Sequence, residues 1–131
     1  MKVKRTERGW AGHFCLAYRC EYHRNTLLEY NGIKVVVSTV GRLRRDPLSN
    51  LYTEIGCGRH FETMAFLAKE NDKYNDADVS KEVGFNSIGC LPSPDMELEA
   101  EEMHEAVVKE ISERMVNNNL EINRWLTMTW E

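Results

Sequence analysis

The sequence predicts a single α+β domain, in which an N-terminal, mainly antiparallel β-sheet is covered by a C-terminal helix or helices. Two observations lead to this class. The first half holds β-branched runs separated by turn residues, and the last third repeats apolar residues at helical spacing. With 131 residues the chain has room for one core, so residues 1–131 are assigned to one domain. Hydrophobic residues make up 42% and charged residues 29%, which is ordinary globular composition.

The strongest local signal is a β-hairpin. Residues 26–30 and 33–40 are rich in strand formers, and Asn31-Gly32 between them suits the two positive-φ positions of a type I′ turn. The β-branched run at 35–40 predicts a central strand buried on both faces. Residues 14–18 alternate Phe, Leu and Tyr on one face and also predict a strand.

Further strands are expected downstream. Residues 42–50 contain turn formers and three arginines, which indicates an exposed loop. Residues 51–55 and 61–68 are strand candidates, with helix as an alternative for the second. Residues 77–83 are expected to return as a short strand after the polar turn at 71–76.

The helical signal starts near Ser93. Serine can cap a helix, Pro94 suits the first helical position, and Asp95 complements the positive end of the helix dipole. Asn117 and the two asparagines after it should end the helix. The tail at 120–130 is apolar enough that we expect it to dock on the sheet or on a neighbouring subunit. The apolar stripe consists of Ala100, Met103, Val107, Ile111 and Met115.

Charge is divided unevenly along the chain. The total is −4, but residues 1–60 carry a net +6 and residues 61–131 a net −10. This asymmetry permits an anion-binding surface on the basic half, or two halves that neutralise each other within a fold or an oligomer. The acidic total disfavours general binding of duplex DNA. No long apolar run is present, so we expect a cytoplasmic protein without membrane contact.

Two chemical alternatives concern the cysteines. Cys20-x-x-His23 and Cys57-x-x-His60 have the spacing of a zinc site, although reduced structural thiols explain them equally simply, and we favour that explanation. Cys57 lies between two glycines and could pair with His60 in a cysteine-dependent enzyme, but no family signature surrounds it. We find no catalytic signature and expect a non-enzyme that needs no cofactor or metal.

The remaining polar and aromatic residues fit a nucleotide-like anion. Aromatic rings stack on bases, arginine forks bind phosphate oxygens, and neutral amides and hydroxyls read ribose or base edges. Each residue has an ordinary structural explanation as well. The candidate ligand contacts are Trp10, His13, Arg24, Asn25, Thr39, Arg59, Phe85 and Asn86.

Several segments resemble a widespread family of small phage and prophage proteins. The likeness covers roughly residues 8–80 and rests on RGWAGHF (8–14), RNTLL (24–28), VVVSTVG (35–41) and ETMAF (62–66). Within that group the layout is similar to the Thoeris anti-defence sponges, which sequester cyclic ADP-ribose-type immune signals without cleaving them. The resemblance implies a homo-oligomer in the host cytoplasm with pockets built from Arg, aromatic and Asn side chains. The rival hypotheses are a phage inhibitor that contacts a host defence or nucleic-acid-binding protein through its acidic helix, and a small Cys or zinc enzyme.

Overall fold

The computed structural model describes residues 2–14, 17–46, 48, 51–56, 58–89 and 94–123. Within them, six strands form one sheet and one long helix packs against it. The strands are β1 (Lys4–Arg8), β2 (Cys20–Tyr30), β3 (Ile33–Arg44), β4 (Tyr52–Thr53), β5 (Phe61–Ala68) and β6 (Ala77–Ile88); the helix is α1 (Pro94–Val116), and Ala17–Arg19 is a single 3₁₀ turn.

All strand pairs in the sheet are antiparallel. The order is β1-β2-β3-β5-β6, with the short β4 paired to the end of β3. The predicted α+β class, with an N-terminal antiparallel sheet and a C-terminal helix, is confirmed.

The hairpin between β2 and β3 is confirmed. Asn31 and Gly32 have φ of 51° and 81°, as a type I′ turn requires. The run at 35–40 lies between β2 and β5 and is buried throughout, because each face of this strand meets a separate set of side chains. β3 is therefore the central strand that its β-branched composition predicted.

The helix begins at Pro94 and ends at Val116, where the sequence placed it. Two residues beyond its end lies a left-handed residue, Asn118, whose amide donates to the carbonyl of Met115 at 3.2 Å. Val107, Val108, Ile111 and Met115 of α1 pack on Leu28, Val35, Val37, Ala65 and Val83 of the sheet, with Leu120 and Ile122 of the tail beside them. The tail thus docks on the sheet as far as residue 123, and residues 124–130 lie outside the described part.

The predicted strand at 14–18 is wrong where the structure describes it. Residues 17–19 form a 3₁₀ turn and Phe14 has φ of 83°, while residues 15 and 16 are not described. The reason is that Gly12 and His13 are fixed to a face of the sheet, so the chain crosses that face instead of joining an edge.

The observed bounds of several other elements also differ from the predicted ones. The predicted loop at 42–50 begins later, because β3 continues to Arg44 and Leu43 is buried. The strand at 51–55 shortens to β4, and the strand at 77–83 lengthens to Ile88. Residues 61–68 are a strand and not a helix.

Candidate functional site

The two faces of the sheet have different covers. We call the face under α1 the helix face and the opposite one the second face. Cross-strand neighbours share a face, so register assigns each side chain. Arg24, Thr39, Thr63 and Asn86 form one row on the helix face, and Asn25, Ser38, Met64 and Phe85 form the adjacent row on the second face.

Three of the predicted ligand contacts therefore belong to the helix face. Arg24 is bound by acids, with its guanidinium 2.6 Å from Glu7 and 2.9 Å from Glu105. Thr39 is fully buried and donates or accepts hydrogen bonds with Thr63 and with His104. Asn86 is exposed at the β6 end of the row, and its Oδ1 accepts the amide of Ser87. These side chains are not brought together with Trp10 and His13.

His104 organises the helix face in a way that sequence reasoning missed. The imidazole is fully buried, and its two nitrogens lie 2.8 Å from Thr26 Oγ1 and 2.7 Å from Thr39 Oγ1. Burial, together with the nearby charge of Arg24, lowers the pKa of His104 to about 4. His104 is consequently neutral at physiological pH and ties α1 to β2 and β3.

The second face is crossed by the N-terminal segment, residues 9–14. His13 is its anchor, with Nδ1 2.7 Å from Ser38 Oγ and Nε2 2.8 Å from Glu62 Oε2. The amide of Gly12 donates to Ser38 Oγ at 3.1 Å. A Cβ at Gly12 would lie 2.8 Å from Ser38, so only glycine allows this approach. The segment is thus held by a buried hydrogen-bond network.

Trp10 projects from this segment with 43% of its surface exposed. The guanidinium of Arg8 stacks on its ring at 4.7 Å. Arg8 donates two hydrogen bonds to Asn25 Oδ1 and others to the carbonyls of Tyr74 and Asn75. Burial lowers the pKa of Arg8, although nearby aspartates oppose this. Asn25 therefore holds the arginine that supports Trp10.

A pocket of about 380 Å³ opens between the N-terminal segment and the start of β2. Trp10 and the highly exposed Tyr18 supply two aromatic rings, and His23 supplies an imidazole. A volume of this size is within the range of small-molecule sites. Its lining residues are Gly9, Trp10, Ala11, Tyr18, Cys20 and His23.

A second pocket of about 260 Å³ adjoins the first and shares Tyr18 and Cys20 with it. Its other lining residues are Arg19, Glu21 and Arg44. Arg19 lies over the Tyr18 ring at 5.9 Å, and Arg44 forms an ion pair with Glu21. Arg42 and Arg45 are close along the chain, so this corner of the sheet is rich in arginine. We call the two pockets together the aromatic–arginine pocket.

Arg59 and Phe85 form a separate pair on the second face. The guanidinium lies 5.3 Å from the centroid of the half-exposed Phe85 ring. Its Nη1 is 3.3 Å from Glu62 Oε1, and its Nε donates to the carbonyl of Gly56. Glu62 thus receives Arg59 on one oxygen and His13 on the other.

The side chains of the zinc alternative are not clustered where the structure describes them. Among the residues that the structure describes, no three His, Cys, Asp or Glu side chains are grouped as a metal site, and Cys57 is outside them. Cys20 is a buried free thiol whose pKa is raised to about 11, chiefly by burial and further by Glu62. His60 is buried and directly precedes β5, and β3 lies between β5 and the strand of His23. Cys90 also lies outside the described residues.

Ser38, His13 and Glu62 have the composition of a catalytic triad but not its accessibility. Ser38 is fully buried, and its hydroxyl already accepts the amide of Gly12. A serine nucleophile has to reach its substrate. The three side chains hold the N-terminal segment, and Ser38 and Glu62 are the residues of this region that the sequence did not single out.

Comparison of the chain with protein families, curated proteins and solved structures finds no match. In the described part of the chain, no helix combines the length and the apolar character that are needed to cross a membrane.

Proposed function

We propose that this protein is a non-enzymatic binding protein that captures a nucleotide-like anion in the aromatic–arginine pocket. The observation that carries the proposal is that Tyr18 lines both pockets. It thereby connects the exposed rings of Trp10 and Tyr18 with a corner of the sheet that is rich in arginine. This arrangement matches a ligand with a planar ring at one end and phosphate at the other.

The ring end is formed by Trp10, Tyr18 and His23. Stacking of a base on an aromatic side chain contributes about 1–3 kcal/mol and tolerates any base, because every base has a π-face. Trp10 is supported by Arg8, and the segment that carries it is fixed by His13. The ring is therefore pre-positioned, which lowers the entropic cost of binding.

The phosphate end is formed by Arg19 and Arg44. Arg19 donates to the carbonyl of Arg45, and its Nε is buried without a hydrogen-bond partner. A buried donor of this kind gains from an acceptor. Arg44 would exchange Glu21 for phosphate oxygens, so binding at this end involves competition with an internal ion pair.

Within this class, the resemblance to the anti-defence sponges makes cyclic ADP-ribose-type signals the first ligands to test. Capture without turnover also agrees with the burial of Ser38, the hydroxyl that pairs with His13 of the N-terminal segment. A phage origin and a role in blocking host immunity rest on that resemblance alone.

The rival role for the acidic helix has less support. Glu101 and Glu105 are paired with Arg24, and Glu105 also binds Arg5, so these carboxylates are partly neutralised within the chain. A surface that mimics nucleic acid needs its charge free.

Isothermal calorimetry with cyclic ADP-ribose isomers, ADP and ADP-ribose tests the proposal. Trp10→Ala should weaken binding about tenfold or more, as expected for the loss of one stacking ring. Tyr74→Ala removes an exposed ring outside the pocket and should bind normally. Mass spectrometry should recover the ligand intact after incubation. No heat with any of these nucleotides, or equal losses in both variants, would refute the proposal.

A further inference from the structure

β6 contains a large irregularity near its start. Phe66 pairs with Glu82 and Ala68 with Ala77, so two steps along β5 face five steps along β6. Residues 78–81 therefore bulge from the sheet. Such bulges re-aim side chains and are common beside binding sites.

The bulge opens a cleft of about 430 Å³ at the hairpin end of the sheet. Three lysines from separate parts of the fold line it: Lys34 from β3, Lys69 from the β5–β6 loop and Lys81 from the bulge. Leu67 and Ala68 contribute apolar lining, and Glu70 is the acid among the lining residues. We call this the lysine cleft.

The acids near the cleft are divided between the loop and the lysines. Asp72 Oδ2 accepts the amide of Asp76 at 2.8 Å, and both carboxylates lie in the field of Arg8 on the second face. Asp78 Oδ1 accepts the amide and the hydroxyl of Ser80, and these bonds, together with the charges of Lys81 and Lys69, lower the pKa of Asp78. Asp72 and Asp76 are therefore engaged mainly by the loop and by Arg8, whereas Asp78 also faces two lysines of the cleft.

The lysines are less fully paired. Lys34 donates to a neutral oxygen, Asn75 Oδ1, at 3.2 Å, and Lys81 lies 3.8 Å from Asp78. Among the described residues the ammonium of Lys69 makes no hydrogen bond or ion pair, although its charge helps to lower the pKa of Asp78. The backbone amide of Lys69 donates to the carbonyl of Asp76 at 2.7 Å. Three lysines that line one cleft from separate elements repel one another, and an anion bound among them would relieve this repulsion.

We propose that the lysine cleft is a second binding site, for a compact multivalent phosphate such as pyrophosphate or the phosphate end of a larger molecule. Three lysines provide point charges without the planar geometry of arginine, which suits phosphate oxygens approached from several directions. The site is separate from the aromatic–arginine pocket. His23 of β2 lines that pocket, and Tyr30 of β2 pairs with Ile33, which lines the lysine cleft. These two β2 residues are seven positions apart, which is roughly 23 Å along a strand.

Titration with pyrophosphate, followed by ³¹P NMR and calorimetry at constant ionic strength, tests this assignment. Binding should be saturable. Lys69→Gln and Lys81→Gln should each weaken it about tenfold, the usual order for one charge-assisted hydrogen bond. Glu70→Gln should tighten it, since this change removes the acid that lines the cleft.

Lys73→Gln is the matched control, because Lys73 is in the same loop but does not line the cleft. It should bind normally, as should Trp10→Ala, which separates this site from the nucleotide pocket. Absence of saturable binding, or equal weakening by Lys73→Gln and Lys69→Gln, would overturn the assignment. If nucleic acid is the source of phosphate, a single-stranded oligonucleotide should compete with pyrophosphate; if not, it should leave pyrophosphate binding unchanged.

Discussion

The helix face and the second face each contain a buried histidine, but they use it differently. His104 joins α1 to two threonines on the sheet, so its partners are neutral and no solvent reaches them. His13 joins a short chain segment to Ser38 and to the carboxylate of Glu62. We expect a helix of 23 residues to resist local opening more strongly than the short segment at 9–14 does. A buried histidine therefore stabilises the whole domain on the helix face, whereas on the second face a buried histidine positions one wall of the pocket.

The arginines of the two faces differ in the same way. On the helix face, Arg5 and Arg24 bind glutamates of α1 and β1, and Arg42 binds Glu97. The basic and acidic halves of the sequence neutralise each other there. On the second face, Arg8 and Arg59 lie over Trp10 and Phe85, and Arg59 also pairs with Glu62. Under the proposed function, the anion is expected at the aromatic–arginine pocket and not among the ion pairs of the helix face.

The largest effect should come from His104→Ala. The change leaves a cavity and removes one hydrogen bond from each of two buried threonine hydroxyls, which keep their bonds to Glu7 and Thr63. Together these losses should lower the free energy of unfolding by about 4 kcal/mol. Urea denaturation measures this loss. Nucleotide and pyrophosphate binding by the folded fraction should be unchanged, and a loss below 1 kcal/mol would contradict the role assigned to His104.

The pH dependence of the free energy of unfolding should also reflect the burial of His104. The pKa of His104 falls from 6.5 to about 4 in the folded protein. Between these values the unfolded chain binds a proton that the folded chain does not. The contribution is complete above pH 6.5 and is lost as pH falls toward 4, on the order of 3 kcal/mol. The difference in the free energy of unfolding between wild type and His104→Ala, measured from pH 7.5 to 4.5, isolates the contribution of His104. A difference that stays constant over this range would contradict the lowered pKa.

His13→Ala should cost less stability and more binding. Because the N-terminal segment can lift and admit water to Glu62, the free energy of unfolding should fall by only about 2 kcal/mol. Loss of the fixed position of Trp10 should weaken nucleotide binding about tenfold. Tryptic cleavage after Arg8 should accelerate in this variant and not in His104→Ala. Equal cleavage in the two variants would remove the distinction between the faces.

The smallest effect should be at Glu105. Hydrogen bonds from Arg5 lower its pKa to about 2, against the effect of burial, and Arg24 adds to the shift. The carboxylate is nearly half exposed, so Glu105→Gln should cost about 0.5 kcal/mol and less at high salt. Glu102→Gln is the control, since Glu102 is an exposed acid on the same helix, and should cost nothing. Insensitivity of Glu105→Gln to salt would argue against an ion-pair contribution.

The elements specified by local patterns were predictable from the sequence. Asn31-Gly32 fixes its turn through backbone conformation, the β-branched run of β3 fits a doubly buried strand, and Pro94 starts the helix. The path of residues 9–14 was not predictable. It depends on hydrogen bonds to Ser38 and Glu62, which are 26 and 49 residues distant along the chain.

The candidate site was predictable only in part. Trp10 was selected because an aromatic ring between glycines suggests stacking, and it lines the pocket. Tyr18, Arg19 and Arg44 were missed, because the predicted strand at 14–18 and loop at 42–50 gave no reason to bring them together. Arg24 was selected for its charge, but it is bound by Glu7 of β1 and by two glutamates of α1, 77 and 81 residues away.

The position of α1 after all the strands has a consequence for synthesis. Every strand pair on the main path of the sheet joins elements near in sequence, so the sheet can assemble while the chain is still being made. Leu28, Val35, Val37 and Ala65 then have no cover until α1 leaves the ribosome. During that interval we expect the nascent sheet to expose one apolar face, and the contact of Arg5 with Glu105, 100 residues apart, can form only after α1 has emerged.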